Sequence, residues 1–227
     1  MMGGGCAEGA KVQGVAQGVL RDGTAGANAR LRALVVFCHP SRTSFAAALC
    51  DAACRALRET GHEVRLRDLY AEAFNPVLNL GEWEDYLTRP EVNAARQYSH
   101  VKDLQWADAL VVVYPTWYYG PPAMLKGWLE RVWLPRVTFE VASTRLRRPR
   151  PLLRNIRRFV GITTSGSPWW WLRLVRDPGR SLWTRALRPV FAPGCRVVWR
   201  QLHDMNHTTP AERSQFLAKV EITMRRL

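Results

Sequence analysis

A short buried strand that leads into an aromatic turn is the most constraining feature of this chain. Leu110 to Tyr114 is an aliphatic run rich in β-branched residues, which favours a parallel strand buried on both faces. Pro115 ends the run, and Thr116 to Gly120 then form a turn before two prolines that suit the start of a helix over Ala123–Val132. Open α/β sheets bind ligands beyond the carboxyl ends of their strands. Three aromatic residues at that place favour a flat, conjugated ligand such as a flavin.

The same alternation of strand and helix continues along the chain. Further strands are predicted at Leu31–Cys38, Glu63–Leu69, Arg158–Thr163 and Arg196–Leu202. Further helices are predicted at Ser44–Thr60 with Gly61 as its cap, at Glu91–Trp106, at Ser181–Arg188 and after the capping box Thr209–Glu212. Five strands alternating with helices predict an α/β fold with a doubly wound, flavodoxin-like parallel sheet in the order 2-1-3-4-5.

The first thirty or so residues differ from the rest. Met1 to about Ala29 is rich in glycine and alanine without a period, which indicates a disordered leader or a misassigned start. The expected organisation is a leader over residues 1–30 and one domain over 31–227. No apolar stretch is long enough for a membrane helix, and no signal peptide is recognisable. The cysteines are odd in number and form no C-x-x-C pair, so neither a disulfide framework nor a metal site is expected.

Two other loops follow predicted strands and suit a ligand. Cys38 to Phe45 is a hydroxyl-rich turn before a helix, where free backbone N–H groups and the helix dipole favour phosphate. Thr43 or Ser44 could equally be a simple helix N-cap. In Gly161 to Pro168, small residues let the backbone approach a ligand edge, and hydroxyl groups add hydrogen-bond donors, although a plain turn would read similarly.

These loops resemble those of the flavodoxin-like NAD(P)H:quinone reductases, the DT-diaphorase family. The aromatic turn and its helix follow the pattern aromatic-Pro, a short spacer, aromatic-Gly-x-Pro-Ala-x-Leu-Lys-Gly-Trp. The matching residues are Tyr114, Pro115, Tyr118, Tyr119, Gly120, Pro122, Ala123, Leu125, Lys126, Gly127, Trp128, Glu130 and Arg131. The first loop resembles the family's His-x-x-Arg-Thr-Ser-Phe turn, and the third its Thr-Thr-Gly-Gly loop, with Ser165 replacing the first glycine.

The resemblance implies a flavin, FMN or FAD, bound by residues of all three loops. The implied residues are His39, Thr43, Ser44 and Phe45 at the phosphate, Pro115, Thr116, Trp117, Tyr118 and Tyr119 at the ring, and Thr163, Thr164, Ser165 and Gly166 at its polar edge. The implied catalytic residues are Tyr118, Trp171 and Phe139, the last because it falls where an aromatic of the partner subunit lies in the family. Ala46, where FAD-binding members carry Asn, slightly weakens the case for FAD.

One departure from the family pattern affects the chemistry. Trp171 and Asp177 stand where the family places a Tyr and a His that steady negative charge on the flavin. Indole does not titrate, and a carboxylate opposes added negative charge. Either Arg173 or Arg176 substitutes, or backbone donors act alone. The aromatic run Trp169–Trp171 walls the substrate side or packs into the core; the sequence leaves both open.

The charge balance is strongly basic, with a net charge of +14. Such a value raises nucleic acid or an anionic membrane as partner. Nearly all of the excess is arginine, which a GC-rich genome would also produce. The densest cluster lies in a loop before a strand and could attract NADPH; it comprises Arg145, Arg147, Arg148, Arg150, Arg154, Arg157 and Arg158.

The function that the resemblance implies is an NAD(P)H-dependent flavin oxidoreductase. It would reduce quinones or similar acceptors by two-electron hydride transfer in a ping-pong scheme, as a cytoplasmic homodimer with no nucleic-acid partner and no stable membrane insertion. Two alternatives stay open. One is an ancillary, reductase-like subunit of a potassium efflux system; the other is a one-electron carrier of the flavodoxin type, although such carriers are usually acidic.

Overall fold

The computed structural model describes residues 30–142, 144 and 149–227. The predicted leader and Arg145, Arg147 and Arg148 of the basic cluster lie outside the described residues. The strands are β1 (Arg32–Phe37), β2 (Glu63–Asp68), β3 (Ala109–Pro115), β4 (Phe139–Glu140), β5 (Arg150–Pro151), β6 (Arg158–Thr164) and β7 (Arg196–Leu202). The helices are α1 (Phe45–Glu59), α2 (Leu80–Thr88), α3 (Pro90–Arg96), α4 (Tyr98–Trp106), α5 (Ala123–Val132), α6 (Trp169–Leu174), α7 (Pro178–Ser181) and α8 (Pro210–Arg225).

The main sheet is five-stranded and parallel, in the order β2-β1-β3-β6-β7. Counted along the sheet strands alone, this is the predicted order 2-1-3-4-5, so the predicted fold class is confirmed. Successive residues of β1 alternate between the two faces: Val35 and Phe37 pack beside α1 and α8, and Leu34 and Val36 pack beside α4 and α5. The continuous apolar run of β1 therefore contributes to two hydrophobic layers, one on each face of the sheet.

Helix α5 shows why the second half of the aromatic motif is needed. Trp128 is fully buried, and its Nε1–H donates to Nδ1 of His100 over 3.2 Å. Burial lowers the pKa of His100 to about 4, which keeps the ring neutral and able to accept that hydrogen bond. A Cβ at Gly127 would lie 2.6 Å from Cα of Pro76, so only glycine allows the helix to approach so closely. These motif residues serve packing rather than the ligand.

Several helix predictions were wrong in detail. The single helix predicted over Glu91–Trp106 is two helices, α3 and α4, because Gln97 breaks the helical geometry with φ −106° and ψ 25°. Helix α2 was missed, although Asn79 and Glu82 form a capping box at its start. The helix predicted over Ser181–Arg188 is instead the end of α7 followed by a π-helical turn, Leu182–Ala186.

Both ends of α1 follow the prediction closely. The Ser44 hydroxyl caps the first turn by accepting from the amide of Ala47 at 3.2 Å. At the other end, Gly61 adopts φ +84°, and the amide of His62 donates to the Leu57 carbonyl over 3.0 Å, as in a Schellman motif. Glycine thus lies one residue beyond the cap, because the left-handed conformation falls there.

In the part of the chain that the structure describes, no helix is both long enough and apolar enough to cross a bilayer.

Candidate functional site

The loops that follow β3 and β6 are joined at the carboxyl edge of the sheet. Pro115 is the register partner of Thr164 at the end of the ladder. Just beyond it, the amide of Thr116 donates to the Thr164 carbonyl over 2.7 Å, and the hydroxyls of Thr116 and Thr163 lie 2.8 Å apart. Thr163 and Thr164 are both buried. The side chain of Thr163 therefore braces the two loops, which leaves the outer residues of each loop free for a ligand.

The aromatic turn is a strained two-residue hairpin. Trp117 and Gly120 exchange two backbone hydrogen bonds of 3.0 Å, and the intervening Tyr118 and Tyr119 adopt φ 46° and φ 64°. Two positive φ values are the signature of a type I′ turn, which Asn and Gly ordinarily occupy. Each tyrosine in this region costs about 1–3 kcal/mol, and such strain clusters at functional sites. The turn leaves the Tyr118 side chain fully exposed at the carboxyl edge.

Contacts from α6 and α7 hold this turn in place. Trp171 Nε1–H donates to the Tyr119 hydroxyl over 2.9 Å. Gly179 packs against the same turn from the other side: a Cβ there would lie 2.9 Å from the Tyr119 carbonyl oxygen. The contact of Gly179 with this turn was not predicted from the sequence, although the run Asp177-Pro178-Gly179 is a recognisable turn signal.

Tyr118 lines two cavities. One, of about 380 Å³, is lined by Pro115, Thr116, Trp117, Tyr118, Thr164, Gly166, Met205 and Asn206. The other, of about 230 Å³, is lined by Thr116, Tyr118, Tyr119, Ser165, Gly166, Ser167 and Leu172. The first lies within the size range of small-molecule sites, and both combine aromatic faces with loop backbone.

The hydroxyl-rich turn presents backbone donors at the start of α1. Among the described residues, the amides of Phe45 and Ala46 have no acceptor, and the first turn of α1 carries no acidic residue. The ring of His39 lies 6.4 Å from that of Trp117, which connects this turn to the aromatic turn. Nδ1 of His39 lies 2.9 Å from the Ser41 amide nitrogen and 3.0 Å from the Ser41 carbonyl oxygen, so these backbone contacts engage Nδ1 and not Nε2. This is a helix N-terminus of the kind that binds phosphate.

A fourth loop, after β7, was missed by the sequence reasoning. His203 follows the end of β7, and its Nδ1 lies 3.5 Å from the Ser165 hydroxyl. Burial lowers the pKa of His203, while Asp177 opposes the shift and Arg180 adds to it. The predicted topology could have indicated this loop, because β7 ends at the same edge of the sheet as the other strands.

Most of the implied site residues lie at this edge, but Phe139 does not. It is half-buried in the β4–β5 ribbon, which follows the end of α5 that points away from the aromatic turn. The implied role of Phe139 therefore depends on a partner subunit. Arg173 and Arg176, offered as substitutes for the missing Tyr and His, line a neighbouring cavity rather than those beside Tyr118. Trp169 and Trp170 are exposed rather than packed in the core.

A flavin fits this donor set. The α1 amides suit its phosphate, and Trp117, 43% exposed, offers an aromatic face to its ring. Among the described residues, the amides of Gly166 and Ser167 also have no acceptor, and they suit the carbonyl and ring nitrogen atoms of the pyrimidine edge.

Residues 32–182 match the model of a protein family described as having a flavodoxin-like fold. The chain belongs to this flavodoxin-like family. NAD(P)H dehydrogenase (quinone) 1 of Cavia porcellus is 31% identical over 205 residues, which are 82% of this chain and 74% of that protein. The family resemblance stated from the sequence is thereby confirmed.

Several solved structures superpose on this chain. Smu.1420 from Streptococcus mutans UA159 has a TM-score of 0.75 at 29% identity and covers 86% of this chain and 100% of its own. An FMN-dependent NADH-azoreductase from Bacillus anthracis, in complex with FMN, has a TM-score of 0.69 at 20% identity and covers 86% of this chain and 98% of its own. At 20% identity, the similarity to the azoreductase supports the fold only.

Proposed function

We propose that this chain is a cytoplasmic NAD(P)H-dependent flavin oxidoreductase that reduces quinones or related acceptors by two-electron transfer. The observation that carries the proposal is the meeting of three ligand features at one sheet edge: the free amides of α1, the strained turn at Tyr118, and the free amides at Gly166. The similarity to NAD(P)H dehydrogenase (quinone) 1 supports the choice of reaction.

The bound flavin would supply the redox chemistry, taking up a hydride from reduced nicotinamide and passing two electrons to the acceptor. The chain's own residues bind and orient. The start of α1 binds the flavin phosphate. Trp117 and Tyr118 line the space in which nicotinamide and quinone bind one after the other. The amides of Gly166 and Ser167 stabilise negative charge at the polar edge of the flavin ring. Because the indole N–H of Trp171 is hydrogen-bonded to Tyr119, backbone N–H groups replace the family's Tyr and His in stabilising negative charge on the flavin.

Steady-state kinetics test the reaction. With a soluble quinone and NAD(P)H, double-reciprocal plots at several quinone concentrations should be parallel, because donor and acceptor use the same space in turn. A carrier would instead show no turnover with NAD(P)H unless a separate reductase is added. An ancillary subunit would turn over only in the presence of its membrane partner.

Replacing Tyr118 by alanine should lower turnover about fivefold with little loss of flavin affinity. Removal of one aromatic contact costs on the order of 1 kcal/mol, which corresponds to that factor. The matched control is Tyr118→Phe, which keeps the ring and should retain most of the rate. The two variants are compared by kcat with quinone and by flavin Kd from fluorescence quenching. An equal loss in both would contradict a role for the ring.

The proposal includes a homodimer, and helix α2 supplies the reason. Two of its three carboxylates face inward, where Glu82 pairs with Arg131 and Asp85 pairs with Arg96, and both of these acids are 2% exposed, whereas Glu84 faces solvent. Its apolar residues face solvent, each more than 60% exposed: Val77 just before the helix, then Leu80, Trp83 and Leu87. Their spacing places them on one helical face. A helix whose apolar face points to solvent is expected to be covered by a partner. A second copy of the chain presents the same apolar face, related by twofold symmetry.

Changing Trp83 to glutamate should convert the dimer to a monomer. Sedimentation or light scattering should give the wild type about twice the 25.9 kDa chain mass, and the variant about one chain mass. The control is Ile222→Glu on α8, which is half-exposed on the opposite layer and should stay dimeric. A wild-type monomer, or a dimer that survives the change at Trp83, would contradict the α2 interface.

A further inference from the structure

A cavity of about 700 Å³ lies beside the site and plays no part in the function as proposed so far. It is formed by α6, α7 and the π-helical turn, together with His203. Its volume is in the range of small-molecule sites. Four guanidinium groups line it, against a single carboxylate, that of Asp177; the arginines are Arg173, Arg176, Arg180 and Arg185.

The guanidinium groups of this cavity lack ion-pair partners among the described residues. Within the described ranges, none of the four forms an ion pair or a side-chain hydrogen bond. Elsewhere arginine is commonly paired, as Arg32 is with Asp108 and Arg131 with Glu82. Asp177 offsets one of the four positive charges, and its Oδ1 accepts from the backbone amide of Arg180 at 3.1 Å rather than from a guanidinium group. A cluster of guanidinium groups with a net positive charge attracts multiply charged anions and binds phosphate with paired hydrogen bonds.

The cavity adjoins the candidate active site. Leu172 lines both the arginine cavity and the cavity beside Tyr118. His203 lines the arginine cavity while its ring contacts Ser165, at 3.5 Å from Nδ1 to the hydroxyl. At the rim, Trp169 is 64% exposed and offers a face on which a purine can stack. A ligand with one end beside Tyr118 can therefore place a charged, aromatic end in the arginine cavity.

We infer that this cavity binds the phosphorylated adenosine end of NADPH and makes NADPH the preferred electron donor. The inference rests on the proposed function and specifies its donor. An uncharged quinone gains nothing from four guanidinium groups, whereas the nucleotide carries phosphates on both sides of its adenosine. NADH lacks the 2′-phosphate, so it makes fewer of these charge-assisted hydrogen bonds.

Binding of 2′,5′-ADP tests the inference without turnover. Calorimetry and quenching of tryptophan fluorescence should show that 2′,5′-ADP binds at least tenfold more tightly than 5′-AMP. The double variant Arg180→Ala/Arg185→Ala should lose at least tenfold in that affinity. Arg58→Ala, which removes an exposed arginine at the far end of α1, is the control for loss of positive charge away from the cavity and should behave as the wild type. Equal binding of the two nucleotides, or an unaffected double variant, would overturn the inference.

Turnover and vesicle binding complete the test. The kcat/KM ratio of NADPH to NADH should exceed ten in the wild type and fall towards one in the double variant, because NADPH loses more than NADH, which carries only the pyrophosphate. Equal use of both donors would overturn the inference and leave the proposed function standing. A protein without turnover would defeat the proposed function, and the 2′,5′-ADP result would then decide the cavity's ligand by itself. Binding to phosphatidylglycerol vesicles that needs Arg180 and Arg185 and that 2′,5′-ADP fails to compete would instead assign the cavity to a lipid surface.

Discussion

Replacing Thr43 by aspartate should weaken flavin binding by about a hundredfold without destabilising the free protein. The new carboxylate would lie immediately before Ser44, beside the free amides at the start of α1, where the flavin phosphate is proposed to bind. A like charge placed against a bound anion costs several kcal/mol, whereas the same charge at a helix N-terminus favours the helix. Flavin affinity and folded-state stability should therefore change independently.

The matched control is Thr43→Asn, which has nearly the same shape and no charge. It should weaken flavin binding far less than the aspartate variant. Flavin Kd is measured by fluorescence quenching, and the free energy of unfolding by urea titration of the flavin-free protein. Similar affinities in the two variants would show that the phosphate binds elsewhere.

Gly179→Ala should lower quinone turnover by roughly ten- to a hundredfold while flavin affinity changes little. The added Cβ would lie 2.9 Å from the Tyr119 carbonyl and 3.5 Å from Cα of Gly120, so the turn that carries Tyr118 has to move. Misplacement of reacting groups by about 1 Å can cost a hundredfold in rate. The phosphate site at α1 is untouched, which is why binding should survive.

Gly81→Ala serves as the comparison for that variant. A Cβ at Gly81 meets only the Asn79 side chain, at 3.5 Å, and this position lies in α2 away from the turn. Its kcat with quinone should match that of the wild type. If Gly179→Ala also keeps the wild-type rate, the position of the Tyr118 turn does not control turnover.

The central sheet was predictable because its strands depend on local pattern. The bounds of α5 and β7 are those expected from the sequence, whereas β1 is one residue shorter than expected at each end and β6 is one residue longer at its carboxyl end. Buried parallel strands read as continuous apolar runs, and capping residues mark the helix ends. The fold class and family followed from these runs and from the three loops between them.

The parts that were missed are those where tertiary contacts override local pattern. Helix α2 turns Glu82 inward and Trp83 outward, which reverses the amphipathic rule on which its prediction depends. The positive φ values at Tyr118 and Tyr119 contradict the preference for Asn and Gly in such turns, so no residue preference could have revealed them.

The arginine cavity was missed for a related reason. It is assembled from three short helical segments, of which the sequence indicated one, at Ser181–Arg188. From the sequence, NADPH was expected to be attracted to the basic cluster before β6, where arginines are dense along the chain. Arg173 and Arg185 line the same cavity because α6 and α7 pack together, and the spacing of arginines along the sequence does not reveal this.

The loops that follow β1, β3 and β6 are proposed to bind a flavin that NAD(P)H reduces. The most direct measurement is the absorbance spectrum of the purified protein supplied with FMN and FAD, followed by anaerobic titration with NAD(P)H. We expect one of the two flavins to remain bound after gel filtration, to be bleached by one equivalent of NAD(P)H, and to regain its absorbance on addition of quinone. A protein that retains neither flavin would contradict the account, as would a bound flavin that NAD(P)H leaves oxidised.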